Sequence, residues 1–214
     1  MDPATRLLDR LFPPKCIFCR KVSDINEYGS CSRCSAALPR SGHFSIPAAP
    51  SCSAACAPYH YAGAVRSALL RFKFSRRKGY ARFFARAMAD SVRSDIKGRI
   101  DCITWVPLSR ARLRKRGYDQ ARCLAEELSK ELNIPCAPLL EKIKDVRPQS
   151  SLSRKERLTN LSGVFRAISP FQAKDASVLL VDDIITTGST VAAASGVLKK
   201  AGVRVIFAVS AARD

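Results

Sequence analysis

Four cysteines in two close pairs carry the first legible chemistry of this chain. Cys16-Ile-Phe-Cys19 and Cys31-Ser-Arg-Cys34 stand in the spacing C-x2-C-x11-C-x2-C. Each C-x-x-C turn can aim both sulfurs at one ion, and four thiolates close a tetrahedron around Zn²⁺ with no open position. Such a site is structural rather than catalytic. A short segment gains from it, because alone it cannot bury enough apolar surface to fold. The intervening residues, Gly29 and Ser30 among them, can turn back as a hairpin that brings the second pair to the first. The alternatives are four reduced, unligated thiols, or a redox C-x-x-C, which would need only one pair. Cys52 and Cys56 follow at a looser spacing, as a vestigial third pair or the source of an alternative ligand. Cys102, Cys123 and Cys136 stand singly in apolar surroundings and read as small hydrophobes.

The second pattern runs from Val178 to Thr190, Val-Leu-Leu-Val-Asp-Asp-Ile-Ile-Thr-Thr-Gly-Ser-Thr. An apolar strand ends in two carboxylates, Asp182 and Asp183. Thr186, Thr187, Gly188, Ser189 and Thr190 then open a helix. Small residues let backbone N–H groups approach an anion closely, and a helix N-terminus favours negative charge. The hydroxyls can donate to phosphate oxygens. The paired acids suit vicinal ribose hydroxyls, or Mg²⁺ held near them. No Gly-Lys pair is present, so this is not a Walker A loop. Two acids at a strand end followed by a polar helix cap would be the plain structural reading.

The third pattern is basic. Net charge is +19, from 37 Lys and Arg against 18 Asp and Glu, which favours polyanions as partners. The stretch Arg66 to Arg86 holds no acid and interleaves cations with Phe72, Phe74, Tyr80, Phe83 and Phe84. Cations beside rings suit single-stranded nucleic acid, where phosphates meet charge and bases stack. Arg71, Lys73, Arg76, Arg77 and Lys78 are the candidate contacts for DNA. A helix with its aromatics in the core and its cations in water would give the same spacing. A second cluster, Arg110, Arg112, Arg114, Lys115 and Arg116, offers side chains suited to bidentate phosphate contacts.

These groups need a scaffold to position them. Residues 1–57 are rich in proline and cysteine and poor in periodicity, apart from a short amphipathic stretch with Leu7, Leu8, Leu11 and Phe12; Pro39 to Pro58 reads as loop or linker. From about Tyr59 the pattern alternates. Helices are expected over 63–74, 79–93, 120–132 and 190–200, and buried strands over 100–106, 178–181 and 203–211. Strands alternating with helices imply an α/β fold with a mostly parallel sheet. The expected division is a four-cysteine module with its linker over residues 1–57 and an α/β domain over 58–214. No apolar run is long enough to span a bilayer, so no integral membrane insertion is expected. Asp2 and Asp9, with no apolar core near them, read against a secretion signal and make the cytoplasm the expected location.

The Val178–Thr190 pattern resembles the 5-phosphoribosyl 1-diphosphate (PRPP) signature of type I phosphoribosyltransferases. With it go the segments Val106 to Gln120 and Arg147 to Asn160, the pair Phe72 and Phe74 around Lys73, and the cysteine knuckles. Together these resemble the ComF family of competence proteins over nearly the whole chain. The resemblance implies that Asp182 and Asp183 are the catalytic residues, contacting the ribose hydroxyls, and that Thr186 to Thr190 hold the 5-phosphate. It places the arginine cluster near the pyrophosphate, with Arg112 and Arg116 the strongest candidates. Gln149, Arg157 and Asn160 form a further polar set near the site or a helix cap. Asp119 stands where the family commonly has Asn. The implied cofactors are structural Zn²⁺ and Mg²⁺ with PRPP. The implied role is in natural transformation and DNA uptake, with single-stranded DNA and other DNA-uptake proteins such as a helicase as partners. A nucleobase-salvage phosphoribosyltransferase and a non-catalytic PRPP-binding module are the alternatives, and turnover is left open.

Overall fold

The structure, a computed structural model, describes residues 13–46, 49–75, 77–144, 163–168 and 174–214. The main sheet is built on two long strands, β7 (Ser177–Ile185) and β8 (Val205–Arg213), which run parallel with Asp182 opposite Ser210. Both are near-continuous apolar runs, as central parallel strands covered on both faces require. On the far side of β7 lies β4 (Cys102–Trp105), also parallel, with Trp105 opposite Val181.

Side chains alternate across this sheet. Leu179, Val181 and Val209 face a core with α2 (Gly63–Phe74), α3 (Tyr80–Asp95) and α5 (Gln120–Leu132). Val178, Leu180 and Ala208 face a second core with α6 (Ser189–Lys200) and the hairpin of β5 (Leu140–Lys142) and β6 (Phe165–Ala167). Helix α5 shows why the sequence folds locally as it does. Asp119 caps its N-terminus by accepting from Arg122 N–H; Ala121, Leu124, Ala125 and Leu128 bury one face; Asn133 ends it in the left-handed conformation at φ 54°. The mostly parallel α/β expectation holds.

The stretch Pro39–Pro58 differs from expectation. It carries β1 (His43–Phe44) and β2 (Ala54–Cys56), with β3 (Tyr59–His60) directly after. The sheet order is β1-β2-β8-β7-β4, and β3 continues along the same edge of β8. The physical reason is the outer edge of β8, whose unpaired backbone groups need partners. Strands of two or three residues are too short to leave a period in the sequence. The main sheet therefore draws on both sides of residue 57.

The cysteine segment docks on the α2–α3 side. Ile17 and Phe18 are buried there, with the Phe18 ring edge-on to Tyr59 at 6.0 Å and to Phe84 at 6.1 Å. Gly29, at φ 68°, allows the close approach: a Cβ at that position would lie 2.7 Å from the Phe83 ring. Among the described residues, no helix is long and apolar enough to cross a membrane.

Candidate functional site

The four cysteine sulfurs converge. Lys15 and Val22 bridge antiparallel around the first pair, and Cys31 stands at the N-terminus of α1 (Ser32–Ala37), which carries Cys34. The Sγ atoms of Cys16, Cys19, Cys31 and Cys34 all lie within 4.8 Å of one another, and those of Cys19 and Cys31 are 3.8 Å apart. A Zn–S bond of about 2.3 Å in a regular tetrahedron puts sulfurs about 3.8 Å apart, so the set fits zinc. The Cys31 N–H points at the Cys16 sulfur at 3.4 Å, as backbone donors to a thiolate do. Burial raises the Cys16 thiol, but the N–H groups of Cys19, Cys31 and Phe18 outweigh it and bring the thiol down to about 7. Cys52 and Cys56 stand apart from this cluster. Cys56 lies in β2 opposite Val209, and the Cys52 thiol donates to the Ala54 carbonyl; burial pushes both thiols up.

The second site forms where β7 ends. Asp182 and Asp183 lie near its C-terminal end, and Gly188 at φ 77° turns the chain into α6. Thr187 Oγ1 accepts from Ser189 N–H at 3.4 Å and lies 2.9 Å from Ser189 Oγ, which shapes the turn. Asp182 accepts from the Asp183 N–H at 2.8 Å. Burial, and then the charge of Asp183, hold the Asp182 carboxyl well above the usual carboxylate range. Lys73, from the last turn of α2, reaches Asp183 at 3.0 Å.

Because β4 and β7 are parallel neighbours, the segment after β4 opens onto the same crevice. There Ser109 caps α4 (Arg110–Arg116) by accepting from Arg112 N–H, and Gly117 ends it in the left-handed conformation at φ 78°. Arg112, Arg116, Asp182, Asp183, Thr190 and Lys73 line one cavity of about 180 Å³. Arg116 donates to Gln120 at 3.0 Å and lies over the Phe74 ring. Thr186, Thr187, Gly188 and Ser189 form the adjoining turn and are not part of that lining. Two carboxylates offer hard oxygen donors of the kind Mg²⁺ prefers, and arginines lining the same cavity suit a phosphate, so the residues fit both groups.

Two members of this site were not singled out as such from sequence. From sequence Lys73 is a candidate contact for nucleic acid, and nothing in its spacing ties it to an acid over a hundred residues away. Asp119 carries a signal that was available, a lone acid just before an apolar-periodic helix. One of its oxygens accepts from Arg122 N–H at 3.1 Å, the other from Leu108 N–H at 2.9 Å, so it ties α5 to the loop after β4. Burial raises its carboxyl, and Asp183 adds to the rise.

The basic stretch divides. Arg71 donates to the carbonyls of Ile17 at 2.7 Å and Phe18 at 2.9 Å, holding the first cysteine turn against α2. Lys73 belongs to the acid pair. Arg77 is exposed, and Lys78 lies 5.5 Å from the centre of the Tyr118 ring. Arg76 lies outside the described residues, as do Gln149, Arg157 and Asn160, and Leu7 to Phe12. Phe72 and Phe84 are buried in the core and offer no face for stacking, whereas Phe74 is 65% exposed.

Comparison with known proteins gives consistent likenesses. The profile of the phosphoribosyl transferase domain matches residues 119–214, from the start of α5 through the acid pair to β8. The chain is 33% identical to competence protein F of Haemophilus influenzae, over 90% of this chain and 93% of that protein. It is 29% identical to the DNA utilization protein YhgH of Escherichia coli K12, over 89% of this chain and 92% of that one. To competence protein ComFC of Bacillus subtilis it is 28% identical, over 67% of this chain and 57% of that protein.

Proposed function

The chain belongs to the ComF family of competence proteins, and from that premise we propose that it binds PRPP with Mg²⁺ and single-stranded DNA in the course of DNA uptake. The names of its relatives, competence protein and DNA utilization protein, support the role in handling DNA. The observation that carries the PRPP reading is the single cavity that Asp182, Asp183 and Thr190 line together with Arg112 and Arg116.

In this reading the carboxylates of Asp182 and Asp183 accept from the ribose hydroxyls. The turn from Thr186 to Thr190 holds the 5-phosphate through its N–H and hydroxyl groups, and Arg112 and Arg116 hold the pyrophosphate. Mg²⁺, when bound, supplies charge neutralisation at the pyrophosphate. If transfer occurs, a nucleophile attacks C1 while pyrophosphate departs with the electron pair of the broken C–O bond, and positive charge develops on the ribose ring. The contribution of the protein is then position and fixed charge. Asp182 and Asp183 face the ring on which that charge appears.

The zinc module has a structural role in this account. Through Arg71 it braces α2, whose last turn delivers Lys73 to the acid pair. The expected location is the cytoplasm, where incoming single strands would be met, and a helicase or another DNA-uptake protein is the kind of protein partner expected.

The test is PRPP consumption by the purified protein, measured alone, with free nucleobases and with single-stranded DNA. Pyrophosphate release that depends on DNA supports the leading reading. Release with a free base alone would support a nucleobase-salvage enzyme, and PRPP binding without release a sensor or scaffold. No PRPP binding under any condition would remove the PRPP reading and leave the DNA role to stand on its own.

A further inference from the structure

Beside the acid-pair cavity lies a larger one of about 450 Å³, and the two share Pro107, Leu108, Asp119 and Lys142 as walls. The larger cavity offers aromatic surface. Trp105, at the end of β4, and Tyr118 both line it. Each carries a cation: the Arg122 guanidinium lies 5.7 Å from the Trp105 ring centre, and Lys78 Nζ lies 5.5 Å from that of Tyr118. Tyr118 is buried and Trp105 half-buried, so of the two rings Trp105 is the more accessible.

A further hollow of about 420 Å³ lies on the other flank of α4 and shares Arg110, Glu141 and Lys142 with the aromatic one. Its charge is one-sided. Among the described residues, Arg110, Arg114, Lys142, Lys144 and Arg166 line it with one acid, Glu141, and Glu141 is engaged by Arg166 at 2.5 Å. The two hollows therefore form one groove, with π surface at one end and fixed positive charge at the other.

That pairing matches the two halves of a nucleotide. A free base would have no use for the basic hollow, and an acidic peptide none for the tryptophan. A duplex keeps its base faces stacked inside, so only a single strand can present one to a ring. We propose that this groove seats single-stranded nucleic acid, with one base against Trp105 and the phosphodiester running past Arg110 towards Arg114, Lys144 and Arg166. The inference rests on the proposed reading that the chain binds single-stranded DNA, and it gives that binding a place. It moves the main contact from the Arg71–Lys78 stretch to the flank of α4, keeping Lys78 at its border. It also puts the bound base one wall away from the PRPP cavity.

Trp105 is the sole tryptophan of the chain, so intrinsic emission reports this groove alone. The experiment titrates the full-length protein with a fluorescently labelled thymidine oligomer and follows label anisotropy and tryptophan emission in parallel. Uridine oligomer and thymidine monophosphate serve as separate arms. The expected result is that oligomer binding and quenching of Trp105 share one midpoint. Arg114→Glu with Lys144→Glu should then weaken oligomer binding roughly tenfold at moderate salt and flatten the salt dependence, with unchanged PRPP binding and melting temperature. A preference for the thymidine over the uridine oligomer identifies DNA as the source, and the reverse identifies RNA; both support the seat. Oligomer binding with unaltered emission and unaffected by the double variant would overturn the groove while leaving DNA binding intact. Quenching by the monophosphate at the same nucleotide concentration as the oligomer would overturn the strand in favour of a mononucleotide pocket. Absence of any oligomer binding would overturn both the groove and the DNA reading beneath it.

Discussion

Lys73 Nζ lies 3.0 Å from Asp183 Oδ2, joining the last turn of α2 to the acid pair at the end of β7. The two residues are far apart in sequence, and the contact gives the carboxylate a cation before any ligand arrives. Lys73 and a divalent metal would therefore compete for the same oxygen, whereas Lys73 and a bound phosphate would attract. Lys73→Met should raise affinity for free Mg²⁺ by about three- to tenfold, since the pair is partly exposed and its Coulomb energy is screened. The same change should lower affinity for metal-free pyrophosphate. Calorimetric titration with each ion checks this, and movement of both affinities in the same direction would mean that Lys73 acts through the fold.

The sulfur cluster should hold one zinc per chain. Elemental analysis of purified protein should give a stoichiometry near one, lost in Cys16→Ser with Cys31→Ser. A chelator should also lower the melting temperature, because Phe18 and Ile17 pack into the core from the same turn as Cys16 and Cys19. Metal content unaltered in the double variant would place the zinc elsewhere.

Local patterns were the most legible part of the chain. Helix α5 begins and ends at the residues its apolar spacing indicates, Gln120 and Leu132, because cap, stripe and stop signal agree there. The strand-end position of the acid pair and the convergence of the four cysteines were legible for the same reason, since both follow from short local spacings. Relationships set by tertiary packing were not. The pairing of β2 with β8 leaves no period in three residues, and Lys73 looks like any other cation of a basic helix. The aromatics of the Arg66–Arg86 stretch show the ambiguity most plainly. Phe72 and Phe84 read equally well as stacking platforms or as core, and the structure buries them.

Gly188 should tolerate no side chain. Its φ of 77° disfavours one, and an added Cβ would lie 2.1 Å from Ile46 Cγ2. Gly188→Ala should cost about 1–2 kcal/mol in backbone strain alone, with the collision added to it. Adding Ile46→Ala should recover only the collision. Chemical denaturation of the single and double variants measures both parts, and full recovery in the double variant would argue that the turn is unstrained.

Asp119 predicts a pH-dependent stability difference. Its folded carboxyl is raised, chiefly by burial, so the folded state binds its proton more tightly than the unfolded chain does. The stabilisation linked to that proton is fully present below the unfolded value of about 3.9 and is lost as pH rises through the folded value. Asp119→Asn removes the titration. The stability of the parent relative to the Asn variant should therefore fall as pH rises through that window, measured by denaturant midpoints. A difference independent of pH would show that the carboxyl does not titrate there.

The central claim is that the cavity at the end of β7 binds PRPP through its paired acids. Its most direct test is calorimetric titration of PRPP in the presence of Mg²⁺ into the parent and into Asp182→Asn with Asp183→Asn. Charge-assisted hydrogen bonds contribute about 1.5–3 kcal/mol each, so the double variant should lose at least about tenfold in affinity while remaining folded by circular dichroism. Equal PRPP affinity in the parent and the folded double variant would contradict the account.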